Sequence, residues 1–277
     1  MKKQSVILFV AMLTIVVILV LVFLNKGMNS EPTVNADNAL LVSVKHDKRL
    51  FEENADQKVP IASLTKLMTA YLVLEAIHNK QLSWDEGLTL KRLDDPRAVS
   101  LQAKTGKVYY SVQDLFAAMM IMSANDAADA LAQRLNADDF VGEMNAKAKA
   151  LGMKKTKYVS ASGLDNDGEE AMSTADDLLT LAKELISDYP EILETTSRTS
   201  YVTKDGHTIH TTNDLLQENA VDGLDGLKTG FTDQAGYCLI ATAVQNGDRL
   251  IAIVLGSKTD KDRTKSAETM LDYGFSK

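Results

Sequence analysis

Residues 60–72 read Pro60-Ile61-Ala62-Ser63-Leu64-Thr65-Lys66-Leu67-Met68-Thr69-Ala70-Tyr71-Leu72, with a serine and a lysine three positions apart at the head of an apolar helix. Positions i and i+3 share a helix face. Pro60 suits the lead-in to a helix and not its interior, so Ser63 is expected in the first turn, where unpaired N–H groups and the positive dipole end gather. An alkoxide forming there is stabilised. Lys66, desolvated by its leucine neighbours, becomes a base able to activate Ser63 near neutral pH. A lone Ser-x-x-Lys is equally what a helix cap looks like, so the rest of the chain must supply partners.

Upstream of this helix, residues 39–44 and 50–52 read as strands joined by a turn. Downstream, the helix is expected to run to His78, and residues 91–107 read as irregular. Ser111-Val112-Gln113-Asp114 is a capping pattern opening a helix over 115–122. Ser123-Ala124-Asn125 interrupts the apolar run, and helical spacing resumes over 126–135, so the three residues connect two buried helices. Ser173 to Leu178 caps a further helix, and one or two strands lie within 201–213. Two strong strand runs, 237–244 and 250–255, meet at Asn246-Gly247, a hairpin signal, and 262–273 closes the chain as a helix. Hairpins at both ends with helices between them give an α/β chain of α+β type: one antiparallel sheet built from both termini, a mostly helical lobe from the middle, and a cleft between them.

With 277 residues and 45% hydrophobic content the chain has ample material for a buried core. Residues 6–24 form an apolar run interrupted only by Thr14 and preceded by Lys2 and Lys3, long enough to cross a bilayer with the N-terminus held in the cytoplasm. Residues 1–26 are therefore read as an uncleaved transmembrane anchor, 27–38 as a linker and 39–277 as the extracytoplasmic domain of a single-pass membrane protein. Cleavage after Val34-Asn35-Ala36 and secretion is the alternative. Removing Lys2, Lys3 and Lys26 from the 30 basic residues leaves 27 against 38 acidic ones, about −11, which argues against nucleic-acid binding. Cys238, the only cysteine, sits in an apolar run and reads as strand core. His207-x-x-His210 lacks supporting carboxylates, so neither a metal nor another cofactor is expected.

In order, Ser63-x-x-Lys66, Ser123-x-Asn125 and Lys228-Thr229-Gly230 form the three-motif set of penicillin-binding proteins and serine β-lactamases. Their context, including Phe231-Thr232-x-x-Ala235-Gly236-Tyr237, Ser162-Gly163-Leu164 and Leu271-Asp272-Tyr273-Gly274-Phe275, resembles the low-molecular-mass penicillin-binding proteins, the serine-type D-alanyl-D-alanine carboxypeptidases. The resemblance implies a DD-peptidase/β-lactamase-like fold with a five-stranded antiparallel sheet, and an enzyme that trims the terminal D-alanine from peptidoglycan pentapeptide stems. Ser63 would be the nucleophile and Lys66 its base. Ser123 would carry the proton to the leaving amine, and Asn125 would hold the substrate's peptide group. Lys228 and Thr229 would bind the C-terminal carboxylate, and Gly230 would allow close backbone approach. The N–H groups of Ser63 and Phe231 would form the oxyanion hole, and β-lactam antibiotics would acylate Ser63.

Lys104-Thr105-Gly106 is a second copy of the third motif, but it precedes Ser123 and leads into no long hairpin, so it reads as a turn. Two departures stand out: Phe231 replaces a histidine found in some relatives, and Thr211-Thr212-Asn213 stands where relatives often have an arginine between asparagines. Two alternatives remain. One is a serine β-lactamase, although no Glu-x-x-Leu-Asn stretch lies between Ser123 and Lys228. The other is a non-catalytic peptidoglycan-binding protein.

Overall fold

The computed structural model describes residues 31–165 and 167–277, so the apolar run 6–24 and the anchor expected there lie outside the described residues. Among the described residues no helix is long and apolar enough to cross a membrane. The end of the expected linker is already docked. Asn35 N–H donates to Ser266 Oγ at 2.9 Å and Asp37 N–H to the Leu255 carbonyl at 3.0 Å.

The chain opens with strands β1 (Asn38–Ser43), β2 (Lys48–Glu53) and β3 (Val59–Pro60), a 3₁₀ turn (Ala62–Thr65) and helix α1 (Lys66–His78). The middle follows as β4 (Gly87–Thr89), α2 (Leu101–Thr105), β5 (Tyr109–Ser111), α3 (Val112–Ile121), α4 (Asn125–Leu135), α5 (Phe140–Ala150), β6 (Met172–Ser173), α6 (Ala175–Asp188), α7 (Ile192–Thr196), β7 (Ser200–Val202), β8 (Thr208–His210) and α8 (Asp214–Glu218). The chain ends with β9 (Leu224–Thr232), β10 (Gly236–Gln245), β11 (Asp248–Ser257) and α9 (Asp260–Phe275).

One antiparallel sheet of order β2-β1-β11-β10-β9 joins the two ends of the chain, as the terminal hairpins predict. Its strands alternate. Leu41, Leu239, Ala241, Ala252 and Val254 pack on Ala267, Met270 and Leu271 of α9, while Leu40, Val42, Ile240, Ile251 and Ile253 face the helical lobe. Asn246 (φ 51°) and Gly247 (φ 74°) both take the left-handed conformation that a tight hairpin requires. Cys238 is buried in the sheet core, and burial pushes its thiol up to about 11.

Helix starts follow their caps. Ser111 Oγ accepts the Asp114 N–H at 3.2 Å, so α3 begins at Val112, three residues before the expected start. Thr174 and Thr259 cap α6 and α9 in the same way. Residues 91–107, read as irregular, contain the short helix α2, and Gly106 (φ 74°) ends it. Lys104-Thr105-Gly106 is thus a helix terminus. Helix α5 was not visible in the pattern because its buried positions are Phe140, Met144 and Ala148, and an alanine carries the last turn of a thin stripe.

Candidate active site

The Ser63 segment differs from the expected first turn of an α-helix. Pro60 belongs to β3, paired with Met172, and Ser63 lies in the 3₁₀ turn that precedes α1. Leu64 N–H donates to the Ile61 carbonyl at 3.1 Å, closing the tighter turn, and Ala62 takes φ 46°. Two glycines fix this geometry. A Cβ on Gly163 would lie 2.2 Å from the Ala62 carbonyl oxygen, and one on Gly230 would lie 3.2 Å from the Ser63 nitrogen. The backbone around Ser63 is therefore clamped between the 160–164 loop and β9, and only glycine permits the approach from the loop.

Ser63 and Lys66 meet as the spacing predicts. The Lys66 ammonium donates to Ser63 Oγ at 2.8 Å and to the Ser162 carbonyl at 2.5 Å. One residue back, the Ala161 carbonyl accepts the Thr69 hydroxyl at 2.6 Å, stapling the 160–164 loop along α1. Lys66 has no solvent exposure, and burial draws its amine down from 10.5 to about 7, against the opposing charges of Asp129 and Asp126. A lysine in that range is unprotonated in a large share of molecules at neutral pH, as a general base requires.

The two carboxylates beside Lys66 come from α4. Asp126 is committed to structure: it accepts the N–H groups of Leu101 and Gln102 and the Ser100 hydroxyl at 3.0, 2.9 and 2.7 Å. Asp129 was not anticipated. It lies one turn beyond Asn125 on the same helix face, and burial raises its carboxyl to about 6, opposed by the Lys66 charge and the Ser162 hydroxyl. Its sequence signal was that spacing, which becomes meaningful only once α4 is docked against α1.

Ser123 sits at the junction of α3 and α4 with φ 65°, a second strained non-glycine residue beside Ala62, and Asn125 is the first residue of α4. Asn125 Oδ1 accepts the Val99 N–H at 2.9 Å, so the amide group left for a ligand is the Nδ2 donor. Among the described residues, no hydrogen bond joins the Ser123 hydroxyl to Ser63 or Lys66.

Lys228, Thr229, Gly230 and Phe231 all lie on β9, an edge strand whose outer side has no strand partner among the described residues. Lys228 is only 1% exposed and is paired in register with Ile240 on the face toward the helical lobe. Burial, joined by the charges of Lys66 and Arg263, holds its amine well below the ordinary lysine range. Arg263 of α9 was not anticipated either. It is buried, lies over the Tyr237 ring at 5.8 Å and pairs with Asp260. Thr229 Oγ1 lies 2.5 Å from Thr212 Oγ1. Phe231 is 48% exposed and stacks on Tyr237 at 4.3 Å. Among the described residues no group of three or more His, Cys, Asp or Glu side chains could hold a metal ion. His207 pairs with Asp205 at 3.2 Å.

This geometry can activate a hydroxyl with a buried amine beside a strand edge that carries a second buried amine. Residues 25–259 match the family described as D-alanyl-D-alanine carboxypeptidase. The chain is similar to D-alanyl-D-alanine carboxypeptidase DacC of Escherichia coli, with 36% identity over 254 residues, covering 88% of this chain and 62% of that protein. It is also similar to D-alanyl-D-alanine carboxypeptidase DacF of Bacillus subtilis, with 32% identity over 89% of this chain and 64% of that one. The chain thus spans less than two thirds of these relatives' length. Among solved structures, penicillin-binding protein D2 of Listeria monocytogenes bound to cefotaxime superposes with a TM-score of 0.86 at 54% identity, over 89% of this chain and 100% of that one. The chain belongs to the D-alanyl-D-alanine carboxypeptidase family of low-molecular-mass penicillin-binding proteins.

Proposed function

We propose that the chain is a serine-type D-alanyl-D-alanine carboxypeptidase that removes the terminal D-alanine from peptidoglycan pentapeptide stems. The single observation that carries this reading is the 2.8 Å contact between Ser63 Oγ and the buried amine of Lys66. Neutral Lys66 takes the Ser63 proton as Oγ attacks the carbonyl carbon of the penultimate D-alanine. The negative oxygen that forms is received by the N–H groups of Ser63 and Phe231. The C–N bond then breaks, the leaving amine gains its proton through the Ser123 hydroxyl, and D-alanine departs. Water, deprotonated in turn, attacks the acyl ester and restores Ser63.

Substrate binding follows from β9. A stem peptide adds antiparallel to the open edge, Asn125 Nδ2 holds its peptide group, and its carboxylate meets Lys228 and Thr229. β-Lactams acylate the same serine, a reading supported by the cefotaxime-bound relative. Peptidoglycan as substrate supports an extracytoplasmic location for the domain. Residues 6–24 would tether it there as a single-pass helix, with secretion after signal cleavage as the alternative.

Release of D-alanine from a pentapeptide stem, followed by chromatography, tests the proposal: the parent protein releases it and Ser63→Ala does not. Equal release by both would contradict it. Asp129 favours one further reading, hydrolysis of β-lactams, because class A β-lactamases place a carboxylate near their active-site lysine to activate the deacylating water. A penicilloyl adduct that survives for many minutes supports the carboxypeptidase; rapid turnover supports the β-lactamase.

A further inference from the structure

The loop between β8 and α8 brings an exposed hydroxyl onto the strand that carries Lys228. Thr212 Oγ1 lies 2.5 Å from Thr229 Oγ1, and the Thr212 N–H donates to the Ile121 carbonyl at 3.2 Å, at the end of α3 and two residues before Ser123. The loop is held on both sides. Thr211 N–H donates to the Thr199 carbonyl at 2.9 Å, the Thr211 hydroxyl accepts the Asn213 N–H at 3.1 Å, and the Thr211 carbonyl accepts the Gln217 side-chain amide at 2.8 Å. Thr212 therefore joins the end of α3 to β9 with little freedom to move.

Two hydroxyls at this separation place one proton between their oxygens and leave the other proton on whichever oxygen accepts. A hydroxyl that already accepts a hydrogen bond is a stronger donor through its own proton. With Thr212 donating, the proton of the buried Thr229 hydroxyl is left to point onward beside Lys228, where it suits an anionic acceptor better than a neutral one.

We propose that Thr212 is a specificity-determining positioning residue: it orients the Thr229 hydroxyl toward the C-terminal carboxylate of the substrate and so selects ligands that carry a free acid at that position. The proposal rests on the carboxypeptidase reading and deepens it.

The test compares the parent protein with Thr212→Val and Thr212→Ser. KM and kcat are measured on a pentapeptide stem, and acylation by benzylpenicillin is measured against acylation by its methyl ester, whose carboxylate is masked. Thr212→Val is expected to raise KM about tenfold with kcat within about twofold, and to lower the preference for the free acid over the ester about tenfold, the effect of losing one oriented charge-assisted hydrogen bond. Thr212→Ser keeps the hydroxyl and stays within about twofold of the parent on both measures. Equal melting temperatures for the three proteins would exclude a folding cause. An unchanged acid-to-ester preference in Thr212→Val, or equal defects in the two variants, would overturn the proposal. A parent protein that releases no D-alanine would overturn the carboxypeptidase reading and this inference with it, whereas a parent that releases it while Thr212→Val behaves identically overturns the inference alone.

Discussion

Lys66 and Lys228 are both buried, and the charge of Lys66 is one of the causes that hold Lys228 well below the ordinary lysine range. Their titrations are linked. The charges that bear on the pair come from α4 (Asp126 and Asp129) and from α9 (Arg263). Repulsion between the two ammonium groups disfavours their being protonated together, so a change at one lysine is expected to move the titration of the other.

The rate of acylation should rise with pH through about 7, because Lys66 acts as a base only when deprotonated and its amine lies near that value. The second-order constant for benzylpenicillin, measured from about pH 5 to 9, would display the rising limb. A rate that is flat or falling across neutrality would remove Lys66 from the role of base.

Asp129→Asn should move that limb toward acid. The negative charge of Asp129 is the largest influence that raises Lys66 against burial, so removing it leaves burial less opposed. The same rate-pH profile checks the point, and a limb that stays in place or moves toward alkali would contradict the influence of Asp129 on Lys66.

Lys66→Met should abolish acylation and make the fold more stable at neutral pH. Because the folded value of about 7 lies below the unfolded 10.5, both states carry the proton below about pH 7 and the burial penalty is complete there. Between the two values the unfolded chain holds a proton that the native protein does not, and the parent's stability climbs with pH. The variant's advantage in urea denaturation should therefore shrink from pH 7 to pH 10, by about 1.4 kcal/mol per pH unit at most. An advantage that grows with pH would contradict the buried-amine account.

Gly163→Ala should cost more than about 2 kcal/mol and also slow acylation, since the new methyl meets the Ala62 carbonyl at 2.2 Å from a residue at φ 83°. Chemical denaturation together with penicillin labelling tests both effects. Full labelling speed in a destabilised variant would show that the Ser63 turn does not depend on this contact.

What the sequence carried legibly was chemistry with short-range geometry. Ser63 and Lys66 are three residues apart, and their contact needs little more than one turn of helix. The sheet was legible for the same reason, because β10 and β11 are two continuous apolar runs that meet at Asn246-Gly247. Features imposed by distant segments were not legible. The 3₁₀ turn at Ser63 lies against Gly163 and Gly230, which come from two other parts of the chain. Asp129 and Arg263 acquire meaning only after α4 and α9 dock, and the Thr212–Thr229 pair joins a short loop to a strand edge that no local pattern links.

The most direct test of the central claim is the intact mass of the protein after exposure to benzylpenicillin, for the parent and for Ser63→Ala, with peptide mapping of any adduct. The account predicts a single penicilloyl adduct in the parent, located on Ser63, and none in the variant. An adduct that persists in Ser63→Ala, or that maps elsewhere in the parent, would contradict it.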